Sequence, residues 1–221
     1  FEPSIDYVVT KMPRFTFEKF PEAESHLTTQ MKSVGETMAI GRVFKESFQK
    51  AMRGLEVDCS GFGLNKKNAE KDQLTEEEVL KALETPNADM VFYLHSALKK
   101  GVDYEKIHSI TGIDRWFLHN LYQLVSTENE ILAAQDIDSQ KEILRQAKRL
   151  GYSDEQLAYA WGSDAFAIRE VRKEIGLLPT YKMVDTCAAE FESYTPYYYS
   201  TYETENEVVP TDKKKVMIIG G

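Results

Sequence analysis

The chain has 221 residues, enough for one large or two small domains with a sizeable core. Its composition is that of a soluble globular protein, 42% hydrophobic and 29% charged. The net charge is −9, and it is uneven: residues 1–55 carry 8 Lys and Arg against 7 Asp and Glu, and the rest carry 19 against 29. That acidity argues against nucleic acid and anionic membranes as partners. No apolar run reaches the roughly 18 residues of a membrane span, and no charged-apolar-cleavage pattern marks a signal peptide. Cys59 and Cys187 lie far apart without a CxxC partner and read as reduced thiols of a cytosolic protein.

Residues 1–20 favour strands. Ile5, Tyr7 and Val9 alternate, Pro13 interrupts, and Phe15 and Phe17 alternate again between the brackets Pro3 and Pro21. Residues 28–41 are small and glycine-containing, suited to a loop and a short strand packed against other backbone. A helix is expected from about Arg42. Phe44, Phe48, Ala51, Met52 and Leu55 fall on its inner face, with Lys45, Glu46 and Lys50 outside. Asp58 to Gln73 reads as a polar, turn-rich linker and a domain boundary.

Thr75 followed by Glu76, Glu77 and Glu78 is an N-cap with acids in the first turn. From there to about Gly176 the pattern is helical, over 75–84, 88–100, 103–110, 114–133, 138–150, 153–161 and 163–175. The expected class is therefore mainly α: an all-helical central domain behind a small α+β part. Residues 177–212 change character, with Pro179, Pro196 and Pro210 among Phe191, Tyr194, Tyr197, Tyr198, Tyr199 and Tyr202. So many aromatics suit an extended strap over other surfaces better than a disordered tail. Val216 to Ile219 followed by Gly220-Gly221 reads as a buried parallel strand entering a glycine turn. Such a strand needs neighbours, and the chain is expected to be a piece of a larger protein.

The helical part repeats itself at an offset of 50. Gly101, Glu105, Gly112 and Asp114 fall on Gly151, Glu155, Gly162 and Asp164. Ile107 falls on Leu157, Trp116 on Phe166, Leu118 on Ile168, and Leu121 on Val171. This is helix-turn-helix grammar, compatible with a DNA-binding module or with a repeated packing unit. Asp114, Trp116, Asp164, Ala165 and Ala167 stand where a recognition helix needs basic or amide side chains, which favours packing.

Candidate chemistry is sparse. His26, His95, His108 and His119 show no metal-ligand spacing, and no nucleophile elbow or Walker loop appears. Cys187 lies among small residues and acids, which suits a structural thiol more than a nucleophile. Lys32, Ser33, Gly35 and Glu36 suit either a phosphate-bearing site or close packing of a glycine loop. Val79, Leu80 and Leu83 form a stripe that is either core or subunit contact.

Four long runs carry a resemblance. Glu2-Pro3-Ser4-Ile5-Asp6-Tyr7-Val8-Val9-Thr10-Lys11, Met31-Lys32-Ser33-Val34-Gly35-Glu36, Ile113-Asp114-Arg115-Trp116-Phe117-Leu118 and Val184-Asp185-Thr186-Cys187-Ala188-Ala189-Glu190-Phe191 resemble the large chain of carbamoyl-phosphate synthase, in order and spacing. Tyr197 to Glu203 and the closing Val-Met-Ile-Ile-Gly-Gly continue the likeness, and the Cys187 form of the strap looks bacterial. The resemblance implies two ATP-grasp halves that use ATP with Mg or Mn, and K, to make carbamoyl phosphate from bicarbonate and ammonia. A glutamine amidotransferase small chain would supply the ammonia, for arginine and pyrimidine biosynthesis. It implies that residues 1–62 are the tail of the first half and that 63–212 are a helical, self-associating oligomerisation domain with its strap at 177–212. Residues 213–221 would open the second half. The family's catalytic, nucleotide and metal residues fall outside this chain, so the resemblance assigns none here.

Overall fold

The computed structural model describes residues 2 and 4–219, and of Ile137 the backbone only. Pro3 and the glycine turn expected at Gly220-Gly221 lie outside the described residues. Strand β1 (Val8–Arg14) pairs antiparallel with β2 (Gly35–Gly41), Val8 opposite Gly41 and Arg14 opposite Gly35. Pro13 does not interrupt β1. It sits opposite Glu36 in a two-stranded sheet, where each strand is an edge and a missing N–H can face outward. Phe15 and Phe17 do not extend a strand: Phe17–Lys19 is a 3-10 turn, and the two rings stack 6.0 Å apart.

Helix α1 (Phe44–Gly54) lies across both strands. Its inner face is the expected one, with Ala51 and Met52 fully buried. Glu46 is not on the outer face. It is 1% exposed, because the strap later in the chain covers it. The expected linker holds a further helix, α2 (Lys66–Asp72), whose N-cap Asn65 accepts from Asn68 N at 3.1 Å.

The next seven helices match the expected segments: α3 (Glu76–Leu83), α4 (Met90–Lys99), α5 (Tyr104–Thr111), α6 (Arg115–Ala133), α7 (Ile137–Arg149), α8 (Asp154–Trp161) and α9 (Ala165–Glu174). Their starts follow from their caps. Thr75 with Glu78, and Ser153 with Gln156, form capping boxes, and Asp103, Asp114, Asp136 and Asp164 each accept first-turn N–H groups. The 19-residue α6 is the spine, packed against α1, α4, α5, α7 and α8. Leu118, Leu124 and Ile131 on its inner face have no exposed surface, and one apolar core joins α1 to the helices through Phe48, Phe62, Val79, Leu98 and Leu157.

The strap contains a small antiparallel pair, β3 (Thr180–Met183) and β4 (Tyr198–Thr201), and β4 lies beside β2. Val216 to Ile219 form no strand among the described residues and are more than 80% exposed. Among the described residues no strand pairs with them to supply a ladder. Mainly α, with a small α+β part, is therefore the observed class.

Candidate functional site

The strongest concentration of buried polar chemistry surrounds the loop from Ser60 to Asn65. A loop taken into the interior must have its backbone groups satisfied by other protein groups. Three amide side chains do this. Gln49 of α1 accepts from Phe62 N at 2.7 Å and donates to Phe62 O at 3.2 Å. Gln156 of α8 donates to Phe62 O and Gly63 O at 3.1 and 2.9 Å, and accepts from Ser153 N at 2.9 Å. Asn65 donates to Gly61 O and Gly63 O, each at 3.0 Å. Ser153 adds a bond from its hydroxyl to Ser60 O at 2.9 Å. Gln49 and Gln156 have no exposed surface, so this hub ties together helices 107 residues apart in sequence. Phe62, at 1% exposure, plugs the core against the rings of Phe48 and His95, 5.4 and 5.1 Å away.

Beneath the hub lies a charged cluster. His95 of α4 is fully buried, with Nε2 at 2.7 Å from Glu128 Oε2 of α6 and Nδ1 at 3.7 Å from Asp72 Oδ1 of α2. Lys99 closes the ring, donating to Asp72 and Glu128 at 2.9 Å each. Burial opposes every one of these charges, yet the partners prevail. Asp72 is held down at about 2 by His95 and Lys99, and Glu128 is lowered by the same two groups. At 3.7 Å the Asp72 pull on His95 is Coulombic rather than a hydrogen bond. Gly63 belongs here as well. At φ +83° it takes a left-handed conformation, and a Cβ would collide with Glu128 Oε2 and stand 2.9 Å from His95 Nε2.

A second cluster anchors the strap. Thr201 donates to buried Glu46 at 3.1 Å, Glu46 pairs with Lys50 at 3.0 Å, and Lys50 also donates to Ser200 O. Asp154 is held by Arg172 at 2.6 Å and Lys148 at 2.9 Å. The Tyr202 ring lies over both cations, 5.1 Å from Lys148 Nζ and 5.6 Å from Arg172 Cζ. Burial lowers the Lys148 amine to about 8 despite Asp154. Of the strap aromatics, Tyr199 is buried and Tyr202 half-buried, while Phe191, Tyr194, Tyr197 and Tyr198 remain exposed.

The proposed contact stripe divides. Val79 and Leu83 are 0% and 1% exposed, both within the chain's own core. A side chain without exposed surface cannot touch a second subunit, so of the two readings these two residues take core and not subunit contact. Leu80 is half-buried at the floor of an open groove with Glu76, Glu77, Lys81, Glu84 and Lys106 around it. Lys32, Ser33, Gly35 and Glu36 do not converge on a phosphate-bearing site. Lys32 donates to Glu24 O and His26 O at 3.0 and 2.5 Å, and Glu36 pairs with Lys11 at 2.8 Å. Gly35 faces open space, so the close packing expected of this loop is at Gly41 instead, where a Cβ would stand 2.7 Å from Ser47 N. Cys187 sits in a turn made by Asp185, which accepts the Cys187 N–H at 2.8 Å. Burial pushes the Cys59 thiol up.

The offset-50 repeat is structural. Gly112 and Gly162 both end their helices in the left-handed conformation, at φ 71° and 61°, and Asp114 and Asp164 both cap the helix that follows. Ile107 and Leu157 are fully buried, whereas Trp116 and Phe166 are 55% and 74% exposed. Sequence reasoning missed Gln49, Asn65, Asp72, His95, Glu128 and Gln156 as members of the hub and cluster. Two of them had local signals, Gln156 in the Ser153-x-x-Gln156 capping box and Asn65 as an N-cap.

No helix among the described residues is long and apolar enough to cross a membrane. Residues 36–176 match the family of the carbamoyl-phosphate synthetase large chain, oligomerisation domain. A carbamoyl phosphate synthase large chain of Rhodopirellula baltica is 55% identical over the whole chain, which covers 21% of that relative. One of Archaeoglobus fulgidus is 51% identical, again over the whole chain and 20% of the relative. An arginine-specific, chloroplastic large chain of Arabidopsis thaliana is 48% identical over the whole chain and 18% of its own length. The chain thus spans about a fifth of the length of the curated relatives it matches. From β2 to the end of α9 its residues are those of one known helical unit, and the chain belongs to the carbamoyl-phosphate synthetase large chain family, whose oligomerisation domain it carries.

Proposed function

We propose that this chain is the connecting and self-associating segment of the large chain of a glutamine-dependent carbamoyl-phosphate synthase. The match of residues 36–176 to the oligomerisation domain carries that reading. In it, the residues before the match end one ATP-grasp half, the matched residues and the strap to 212 form the helical domain, and 213–221 begin the other half, the match starting upstream of the boundary at 62/63 read from the sequence. The parent is an ATP-dependent carbon–nitrogen ligase that builds carbamoyl phosphate from bicarbonate, two ATP and ammonia released from glutamine by a small partner chain. It serves arginine and pyrimidine synthesis in the cytoplasm, and its ATP, Mg or Mn, and K are held outside this segment. The segment itself works by geometry and by association, and it is inactive alone.

Self-association is assigned to the α3 groove. Leu80 offers an apolar centre, and the rim carries both signs of charge, Glu76, Glu77 and Glu84 with Lys81 and Lys106. A two-fold contact brings such a patch against itself, so that lysines of one copy meet glutamates of the other. In sedimentation velocity, the wild-type chain is expected to show a larger species that Leu80→Glu converts to monomer while circular dichroism stays helical. An unchanged mass distribution would remove Leu80 from the contact. Bicarbonate-dependent ATP hydrolysis by the isolated chain would refute the inactive-connector reading.

A further inference from the structure

The His95 cluster does something that a purely apolar core would not. Both ring nitrogens face carboxylates, Nε2 toward Glu128 at 2.7 Å and Nδ1 toward Asp72 at 3.7 Å. A neutral imidazole has one N–H and one lone pair. Whichever tautomer it took, a lone pair would then point at a carboxylate inside the protein. With imidazolium, two cations face two anions. Without it, Lys99 alone faces Asp72 and Glu128, and a negative charge is left uncompensated where His95 and Glu128 have essentially no exposed surface.

The groups around the ring are few. Lys99 comes from its own helix, Asp72 from α2 and Glu128 from α6. The hub loop contributes the Phe62 ring and the Gly63 backbone, and the neutral amides of Gln49 and Gln156 hold that loop through Phe62 O and Gly63 O. We infer that His95 is a charged latch, which as imidazolium fastens α2 and the 60–65 loop to α4 and α6, and which loosens them when it loses its proton.

Asp72 is the last residue of the seven-residue α2. That helix is also held by its Asn65 cap, by Asn68, by Lys71 paired to Asp89 at 3.1 Å, and by Ser96 and Lys100, which donate to Lys71 O and Asp72 O at 3.1 and 2.7 Å. Burial works against the charge on His95, but the two carboxylates overcome it and raise the ring above its ordinary 6.5. A group whose pKa is raised by folding contributes its full stability below pH 6.5. That contribution is lost as pH rises through the folded-state pKa, so the latch opens on the alkaline side. Each tenfold change in proton affinity corresponds to a tenfold change in local opening.

Imidazole nitrogen correlations of the 15N-labelled chain between pH 5 and 10, with His95 assigned from His95→Gln, test the charge state. The expected pattern at pH 7 is imidazolium. Amide exchange of residues 60–73, corrected for the intrinsic pH dependence, should lose protection relative to α9 as that signal titrates. In His95→Gln, protection at pH 6 should already match the alkaline wild type and no longer vary with pH. A ring neutral at pH 7, or protection that ignores its titration, overturns the latch. Should His95→Gln not fold, Asp72→Asn decides. It should lower the His95 midpoint by about one pH unit, and an unmoved midpoint also overturns the proposal.

Discussion

Gln156→Met is the sharpest test of the hub. Methionine keeps the length and nearly the volume of glutamine, so little of the effect comes from packing. The change removes three bonds shorter than 3.2 Å, to Phe62 O and Gly63 O and from Ser153 N, together with two long ones, to Gln49 Oε1 at 3.4 Å and from Ser153 Oγ at 3.3 Å, which add little. Three buried bonds at about 1 kcal/mol each give a loss of ~3 kcal/mol. Two details bound that figure. Phe62 O keeps a donor in Gln49 and Gly63 O keeps one in Asn65, so neither carbonyl is orphaned. The Ser153 N–H has no such substitute in a residue 9% exposed, and an unmade buried bond costs about 1–3 kcal/mol. For a chain of this size ~3 kcal/mol corresponds to roughly 6–12 °C in Tm. Urea unfolding followed by circular dichroism and by Trp fluorescence would measure it, coincident transitions being the check for two-state behaviour. Gln146→Met is the control, because Gln146 is exposed and among the described residues its side chain bonds only Glu130. A loss below about 1 kcal/mol for Gln156→Met, or one equal to the control, would refute the claim that this amide braces the loop.

Gly63→Ala should destabilise by roughly 3 kcal/mol or more, from left-handed backbone strain together with displacement of the Glu128–His95 pair, and chemical denaturation would measure it. Stability within about 0.5 kcal/mol of wild type would show that the loop can shift freely. Tyr202→Leu should keep apolar contact while removing the ring from Lys148 and Arg172, at about 1–2 kcal/mol. Limited proteolysis between residues 178 and 204 is the readout, and an unchanged cleavage rate would mean that the Glu46 and Lys50 contacts hold the strap without the ring.

The helices were legible because their signals are local and redundant. Thr75-x-x-Glu78 and Ser153-x-x-Gln156 mark starts, Gly112 and Gly162 mark stops, and the apolar stripe between them has helical period. The repeat was legible for the same reason, since both copies need the same turn. What escaped was everything that depends on a distant partner. Lys66–Asp72 has no apolar stripe, so α2 reads as linker until Asn65 caps it and Asp72 finds His95 and Lys99. Glu46 looks like an outer-face acid until Thr201 arrives from 155 residues away. Val79 and Leu83 carry the same apolar signal whether they face a core or a second subunit. Periodicity gives the face of a helix, not what covers it.

On the connecting role proposed above, the strap shortens the path by which position would pass along the chain. Read along the sequence, the helices stand between the N-terminal hairpin and the C-terminal segment, and any coupling would have to pass through all of them. In space the path is short. β4 lies beside β2, Thr201 and Ser200 are tied to Glu46 and Lys50, and Ser4 N donates to Ala188 O at 3.0 Å. The segment after the helices thus returns directly to the segment before them. Meanwhile α3 packs chiefly on α4 and α5, away from that junction. Side chains such as Leu80 can therefore be engaged by another copy without rearranging the β2–β4 contact. The hub then has a specific task. Gln49 sits on α1, at the junction, and Gln156 on α8, in the helical body, and the 60–65 loop is bonded to both. Substitutions that loosen that loop should therefore weaken the tie between the helical body and α1, which the shared apolar core also holds.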